Sequence, residues 1–252
     1  YSPLPKQRYH CTLAFRGRAF WFAEKSMHFS IAGNIYAYPT RNIVAAQTGQ
    51  FRGGIVHTQL NMTDQASRLI VFGSNQSYQA RFTGNMAQQN VRISADTVGQ
   101  FDVEGSDFSM DYLCEATAYS YRSACIAEGV LYFWGPQGVY YDNGQMAMPE
   151  KISQILEPDV FDFADTARIT EVHCVYNKRT KEVIWFYPPK TADATYPTYG
   201  LSYNVLTKEF SYLKFGFQID AAQVVKIEND ESSAGISGER IMITGRATAA
   251  RP

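Results

Sequence analysis

Four short runs of consecutive apolar residues constrain this chain more than any other feature. They are Ala19-Phe20-Trp21-Phe22, Leu69-Ile70-Val71-Phe72, Leu131-Tyr132-Phe133-Trp134 and Val183-Ile184-Trp185-Phe186. A strand with one wet face alternates apolar and polar residues, whereas a strand that is apolar at every position needs cover on both faces. The runs start about 50 to 60 residues apart, which predicts a repeated multi-strand unit whose central strand is sandwiched between neighbours. A weaker fifth run, Ile241-Met242-Ile243-Thr244, continues the spacing. Between the runs Gly, Pro and Asn recur every ten residues or so, the rhythm of short strands joined by turns. With 17 Tyr and 16 Phe in 252 residues, the composition also favours the pleated surface of strands.

These features predict an all-β fold. The repeat length and the doubly apolar strands favour a β-propeller of antiparallel blades over an immunoglobulin-like sandwich, whose strands alternate more cleanly. About four to five blades are visible, either as the whole propeller or as part of a larger closed one. The expected organisation is one propeller-like domain over residues 1–252, as a segment of a longer chain, since residue 1 is Tyr rather than Met. Residues 227–240 (IENDESSAGISGER) read as an exposed polar loop.

Three hairpins are legible. Cys125 to Asp142 turns at Gly135-Pro136-Gln137-Gly138, His173 to Tyr187 turns at Asn177 to Lys181, and Tyr199 to Leu213 turns near Val205 to Lys208. The last two share the pattern Tyr-Asn-x-x-Thr-Lys-Glu, at Tyr176 to Glu182 and again at Tyr203 to Glu209. Asn suits a turn start because its side chain bonds the backbone two residues on. Helix signals are scarce, the best being Pro149 to Leu156. His10-Cys11, Ala124-Cys125 and His173-Cys174 each precede an apolar run, which predicts a small thiol at a tight contact between repeats.

Formal net charge is −1, a balance that calls for neither nucleic acid nor an acidic membrane surface. No apolar run approaches the ~20 residues of a membrane-spanning helix. The four cysteines form no CxxC pair and no disulfide framework, and they read as buried thiols.

Candidate chemistry is thin. His10, Cys11, His173 and Cys174 carry zinc-type donors, but neighbouring residues on a strand point to opposite faces. His28 and His57 have no Ser or Cys nucleophile at a recognisable spacing, and neither a GxSxG elbow nor a phosphate loop is present. Gly53-Gly54 could turn a chain. The carboxylates of Asp162 and Asp165, and those from Asp102 to Asp111, read as solvated loop acids rather than a glycosidase pair. Trp21, Trp134 and Trp185 lie inside the apolar runs, as core residues rather than a sugar platform. The sequence therefore predicts no catalytic, cofactor-binding or metal residue.

The order of segments resembles one family. Arg18 to Pro39, Arg68 to Tyr78, Gly129 to Gly144 (GVLYFWGPQGVYYDNG), Ile152 to Pro158, Glu182 to Pro189 and the Tyr203-Asn204 hairpin are similar in order and spacing to the propeller of short-tailed phage tail proteins. That family comprises the tail nozzle, or tail tubular protein B, and the packaged-DNA stabilisation proteins. The resemblance implies a non-enzymatic virion component. It implies a self-assembled ring, usually a hexamer, which contacts the portal or adaptor protein and the tail fibres or needle. Packaged DNA would pass through its channel without sequence-specific binding, and loops between blades would carry the contacts. The alternative from the residues themselves is a glycan- or receptor-binding propeller of lectin type.

Overall fold

The computed structural model describes residues 4, 6–38, 42–46, 49–57, 68–74, 76–82, 92–93, 103–104, 108–144, 149–156, 164–190, 197–227 and 238–247. Among these the fold is all-β, and its only helical pieces are short 3-10 turns. The strands make four four-stranded antiparallel sheets and two two-stranded ribbons. The first sheet holds β1 (Cys11–Phe15), β2 (Arg18–Phe22), β3 (Ser26–Phe29) and β4 (Ile43–Ala45). The second holds β5 (Phe51–His57), β6 (Arg68–Gly73), β7 (Ser77–Phe82) and β10 (Phe108–Cys114). Between β7 and β10 comes a small ribbon of β8 (Arg92–Ile93) and β9 (Val103–Glu104). The third holds β11 (Ala124–Ala127), β12 (Val130–Gly135), β13 (Gly138–Asp142) and β14 (Glu150–Lys151). The fourth holds β15 (His173–Asn177), β16 (Glu182–Tyr187), β17 (Tyr199–Asn204) and β18 (Phe210–Lys214). A long ribbon of β19 (Phe217–Ile227) and β20 (Gly238–Ala247) follows.

Within each four-stranded sheet the strands follow chain order as a meander. Each of the four apolar runs falls on the second strand of its meander, β2, β6, β12 and β16. The fifth run falls on β20, the second strand of a two-stranded ribbon rather than of a four-stranded sheet.

The chain divides into two compact units, Tyr1–Tyr121 with Asp142–Pro149, and Arg122–Tyr141 with Glu150–Pro252. In the first unit, Phe20 and Phe22 of β2 meet Leu69 and Val71 of β6 in one core with Cys11, Met27, Phe29, Phe51 and Met110. Ile70 and Phe72, on the opposite face of β6, are buried as well. In the second unit, Ile184 and Phe186 of β16 pack with Ile219, Val224, Ile241 and Ile243 of the long ribbon. The other face of β16 carries Trp185 and Tyr187. Trp185 Nε1 donates to the Ser123 carbonyl at 3.0 Å, and Tyr187 meets Trp134 edge-on at 5.3 Å. A run without polar interruptions is what such two-sided cover selects.

First strands lie against first strands, β1 beside β5 in one unit and β11 beside β15 in the other. The cysteines sit at these contacts. Cys11 faces Gly53, where a Cβ would fall 3.0 Å from the cysteine Cβ. Cys125 and Cys174 stand on the contacting strands β11 and β15. The cysteines thus lie on strands that meet between repeats, with the tight approach seen at Cys11, but in different registers: Cys11 opposes Phe22, Cys125 opposes Tyr132 and Cys174 opposes Trp185. Cys11 and Cys114 are buried, while Cys125 and Cys174 are half-buried.

The three predicted hairpins form at β12–β13, β15–β16 and β17–β18. The shared pattern is one turn made twice. Asn177 Oδ1 accepts from the Arg179 and Thr180 amides, and Asn204 Oδ1 accepts from those of Leu206 and Thr207. Lys181 and Lys208 both take the left-handed conformation, at φ 58° and 61°. Two further hairpins, at Arg16-Gly17 and Glu128-Gly129, have positive φ at both loop residues, the type I′ geometry that matches strand twist.

Three expectations need correction. Pro149 to Leu156 is not a helix. Glu150 and Lys151 pair with β13, and only Ser153–Leu156 coils, as one 3-10 turn. The segment is too short to offset helix nucleation, and the β13 edge supplies its backbone partners. Gly53-Gly54 is not a turn but lies within β5, at a bulge. The third correction concerns residues 227–240. Ile227 and Gly238–Arg240 are ladder residues of the long ribbon, while residues 228–237 lie outside the described residues.

Candidate functional site

A set of polar and aromatic groups in the second unit surrounds β11 and β15. Tyr132 of β12 stacks on Tyr141 of β13 at 6.2 Å and meets Tyr203 of β17 at 5.8 Å. Tyr203 packs on Phe210 at 4.7 Å. Two carboxylates close the ends. The Tyr141 hydroxyl donates to Glu150 Oε2 at 2.7 Å, and the Tyr176 hydroxyl donates to Glu128 Oε1. Lys181 Nζ also reaches Glu128 Oε1, at 2.6 Å. Two turns are tied by these bonds: the type I′ turn holding Glu128 and the turn holding Lys181.

The electrostatics keep this cluster neutral at its centre. Burial, then the neighbouring Tyr203, pushes the Tyr132 phenol far up. Burial and the hydrogen bond to Glu128 do the same for Tyr176. The bonds from Lys181 and Tyr176 hold Glu128 below the usual carboxylate range. Burial and then Cys125 raise the Cys174 thiol well above its ordinary value. Protonated phenols and thiols pack and donate hydrogen bonds, but they do not shuttle protons near neutrality.

Two polar groupings stand in the first unit. His28 Nδ1 lies 2.7 Å from the Tyr38 hydroxyl, and its Nε2 lies 2.8 Å from Ser26 Oγ and 2.6 Å from Gln7 Nε2. Ser26 and His28 share a strand face because they are two residues apart on β3. The i, i+2 spacing of Ser26 and His28 belongs to no nucleophile motif, so only the strand face reveals the pairing. Burial lowers the His28 pKa, and it drives the Tyr38 phenol up to about 12. The second grouping joins residues far apart in sequence. Arg68 donates from Nε to His57 Nδ1 at 3.3 Å and pairs through Nη2 with Asp142 Oδ2 at 2.6 Å. An arginine can only donate, so His57 Nδ1 is the acceptor. No local pattern links position 142 to position 68.

The remaining sequence candidates disperse. His10 and His173 each keep a buried Nε2 without a hydrogen-bond partner, and burial lowers both pKa values. Among the described residues no three His, Cys, Asp or Glu side chains converge as a metal site would require. Asp165 caps a 3-10 turn by accepting from the Ala167 amide and pairs with Arg168 at 3.3 Å. Asp102 and Asp162 lie outside the described residues. Trp134 and Trp185 are fully buried, and Trp21 is half-buried.

Large apolar side chains stand out on connections. Tyr36, between β3 and β4, is 91% exposed, Ile155, after β14, is 88% exposed, and Leu206, at the β17–β18 turn, is 70% exposed. No family model matches the chain, and no curated protein is significantly similar to it.

Proposed function

We propose that this chain is a structural, non-catalytic subunit of a ring-forming assembly, of the kind found in short-tailed phage tails. Its four meanders would act as blades of a β-propeller, a rigid block whose connections hold neighbouring subunits. In the virion such a ring would sit below a portal or adaptor protein, contact fibres or a needle, and let packaged DNA pass without reading its sequence. The observation that carries this reading is the fourfold meander with a doubly covered second strand. Blades set around an axis require such cover, and they place first strand beside first strand, as β1 with β5 and β11 with β15. Tyr36, Ile155 and Leu206 add apolar anchors on connections, where assembly contacts are made. A near-neutral wall would also let DNA slide, since a strongly basic wall binds phosphate.

The test is native mass of the purified full-length product, by mass photometry, with and without its adaptor partner. A closed ring of about six subunits is the expected result. A monomer under all conditions overturns the reading and turns attention to glycan binding.

A further inference from the structure

Ser26 and His28 stand two positions apart on β3 with their side chains in contact, Ser26 Oγ lying 2.8 Å from His28 Nε2. On the far side of the ring, His28 Nδ1 lies 2.7 Å from the Tyr38 hydroxyl. Gln7 Nε2 lies 2.6 Å from His28 Nε2 and donates to Ser26 Oγ at 3.1 Å. An amide nitrogen can only donate, so His28 Nε2 is the accepting atom and the ring proton sits on Nδ1, towards Tyr38. The imidazole lone pair therefore faces the Ser26 hydroxyl. This is the relation of a nucleophile to its base, with a third group orienting the base from behind. We propose that Ser26 is a covalent acylation site, at which His28 acts as general base, Tyr38 positions the ring and an activated ester is the acyl donor.

Burial is graded as such a site needs. His28 and Tyr38 are only 2% and 3% exposed, which holds the ring in one orientation, whereas Ser26 is half-buried and within reach of a small reagent. Tyr9 packs edge-on against His28 at 5.5 Å and fixes the ring from a further side. Gln7 is exposed, so rotation of that one side chain frees the lone pair for Ser26 alone. Burial lowers the His28 pKa, which keeps the imidazole neutral and able to take a proton near neutrality.

The step balances without a further reactant. The Ser26 hydroxyl proton passes to His28 Nε2 as Oγ attacks the ester carbonyl carbon. The new C–O bond forms, and the bond to the leaving oxygen breaks. The leaving group then takes the proton from Nε2 and departs as an alcohol or phenol, which returns His28 to its neutral form. One acyl group is taken per chain, so the step is a modification that can accompany a structural role. It involves the first unit alone and does not depend on the assembly reading.

The test treats the full chain with p-nitrophenyl acetate and follows acetylation of each serine by peptide mapping. Ser211, exposed on β18, is the internal reference. Ser26 should be acetylated at least about a hundredfold faster than Ser211, the gain a positioned base supplies. His28→Gln should bring the Ser26 rate down to that of Ser211, and Tyr38→Phe should slow Ser26 while leaving Ser211 unchanged. Near-ultraviolet circular dichroism checks that both variants are folded. The unmutated chain gives a second readout: its Ser26 rate should climb from about pH 5 and level off by about pH 7, as His28 becomes fully neutral. An unassisted hydroxyl would instead keep gaining about tenfold per pH unit. Equal rates at Ser26 and Ser211 would overturn the proposal, as would a Ser26 rate that either variant leaves untouched or that shows no plateau.

Discussion

Single positions carry backbone demands that composition conceals. Lys208 holds φ at 61° in an exposed turn, where an L side chain costs roughly 1–2 kcal/mol and glycine costs less. Glycine gives back part of that gain through the unfolded chain. Lys208→Gly is therefore expected to stabilise by about 0.5 kcal/mol, and Lys208→Val to destabilise by about 1 kcal/mol or more. Urea midpoints decide it, and a glycine variant below wild type would contradict the strain. Gly53 is the reverse case. Its φ is +104°, and an added Cβ would lie 2.8 Å from Tyr121 Cβ and 3.0 Å from Cys11 Cβ. Gly53→Ala should cost about 3 kcal/mol or more through strain and overpacking together, read in the same way. The turn-starting Asn177 and Asn204 were legible from their chemistry. The left-handed lysines were not, because nothing about Lys announces a positive φ. The double glycine suggested a turn because its real constraint, the neighbouring Cys11 and Tyr121, is distant in sequence.

Strands with two buried faces behave differently from strands with one. On β16, Ile184 faces the long ribbon and Trp185 faces Ser123. Ile184→Ala and Trp185→Ala should each cost about 3 kcal/mol or more, by cavity formation on opposite faces. Chemical denaturation measures both, and a cheap loss on either face would show that face to be wet. The element scale was the most legible in the sequence, since uninterrupted apolar runs report two-sided cover directly. It failed where a partner strand decides structure. Glu150 and Lys151 lie in a helix-like pattern, but the open edge of β13 takes them as a strand. The fifth run looked like a fifth repeat, yet its partner is β19 alone, with Ile241 and Ile243 facing the core of the fourth sheet. Likewise the His57–Arg68–Asp142 grouping had no sequence trace, because tertiary pairing across the chain creates it.

At the scale of the whole molecule, desolvated histidines link fold stability to pH in both units. His10 and His28 lie in the first unit and His173 in the second. In all three, desolvation is the largest influence and lowers the pKa below the ordinary 6.5. The unfolded chain therefore binds protons at these sites at a higher pH than the folded chain does. Stability is fully present above about pH 6.5 and is lost as the pH falls from there towards the folded-state values, because protonation favours the unfolded side. Glu128 works with the same sign in a lower window. Its folded pKa is held below 4.5 by Lys181 and Tyr176, so its contribution disappears only in more acidic solution. Thermal melts from pH 7.5 to 5.5 should thus show Tm falling for both units. His10→Gln, His28→Gln and His173→Gln combined should flatten that upper step and leave the acidic one. His173→Gln alone should flatten only the transition of the second unit. A Tm independent of pH between 7.5 and 5.5 would show that these imidazoles are solvated, and the cores around them looser than the packing of β2 and β16 implies.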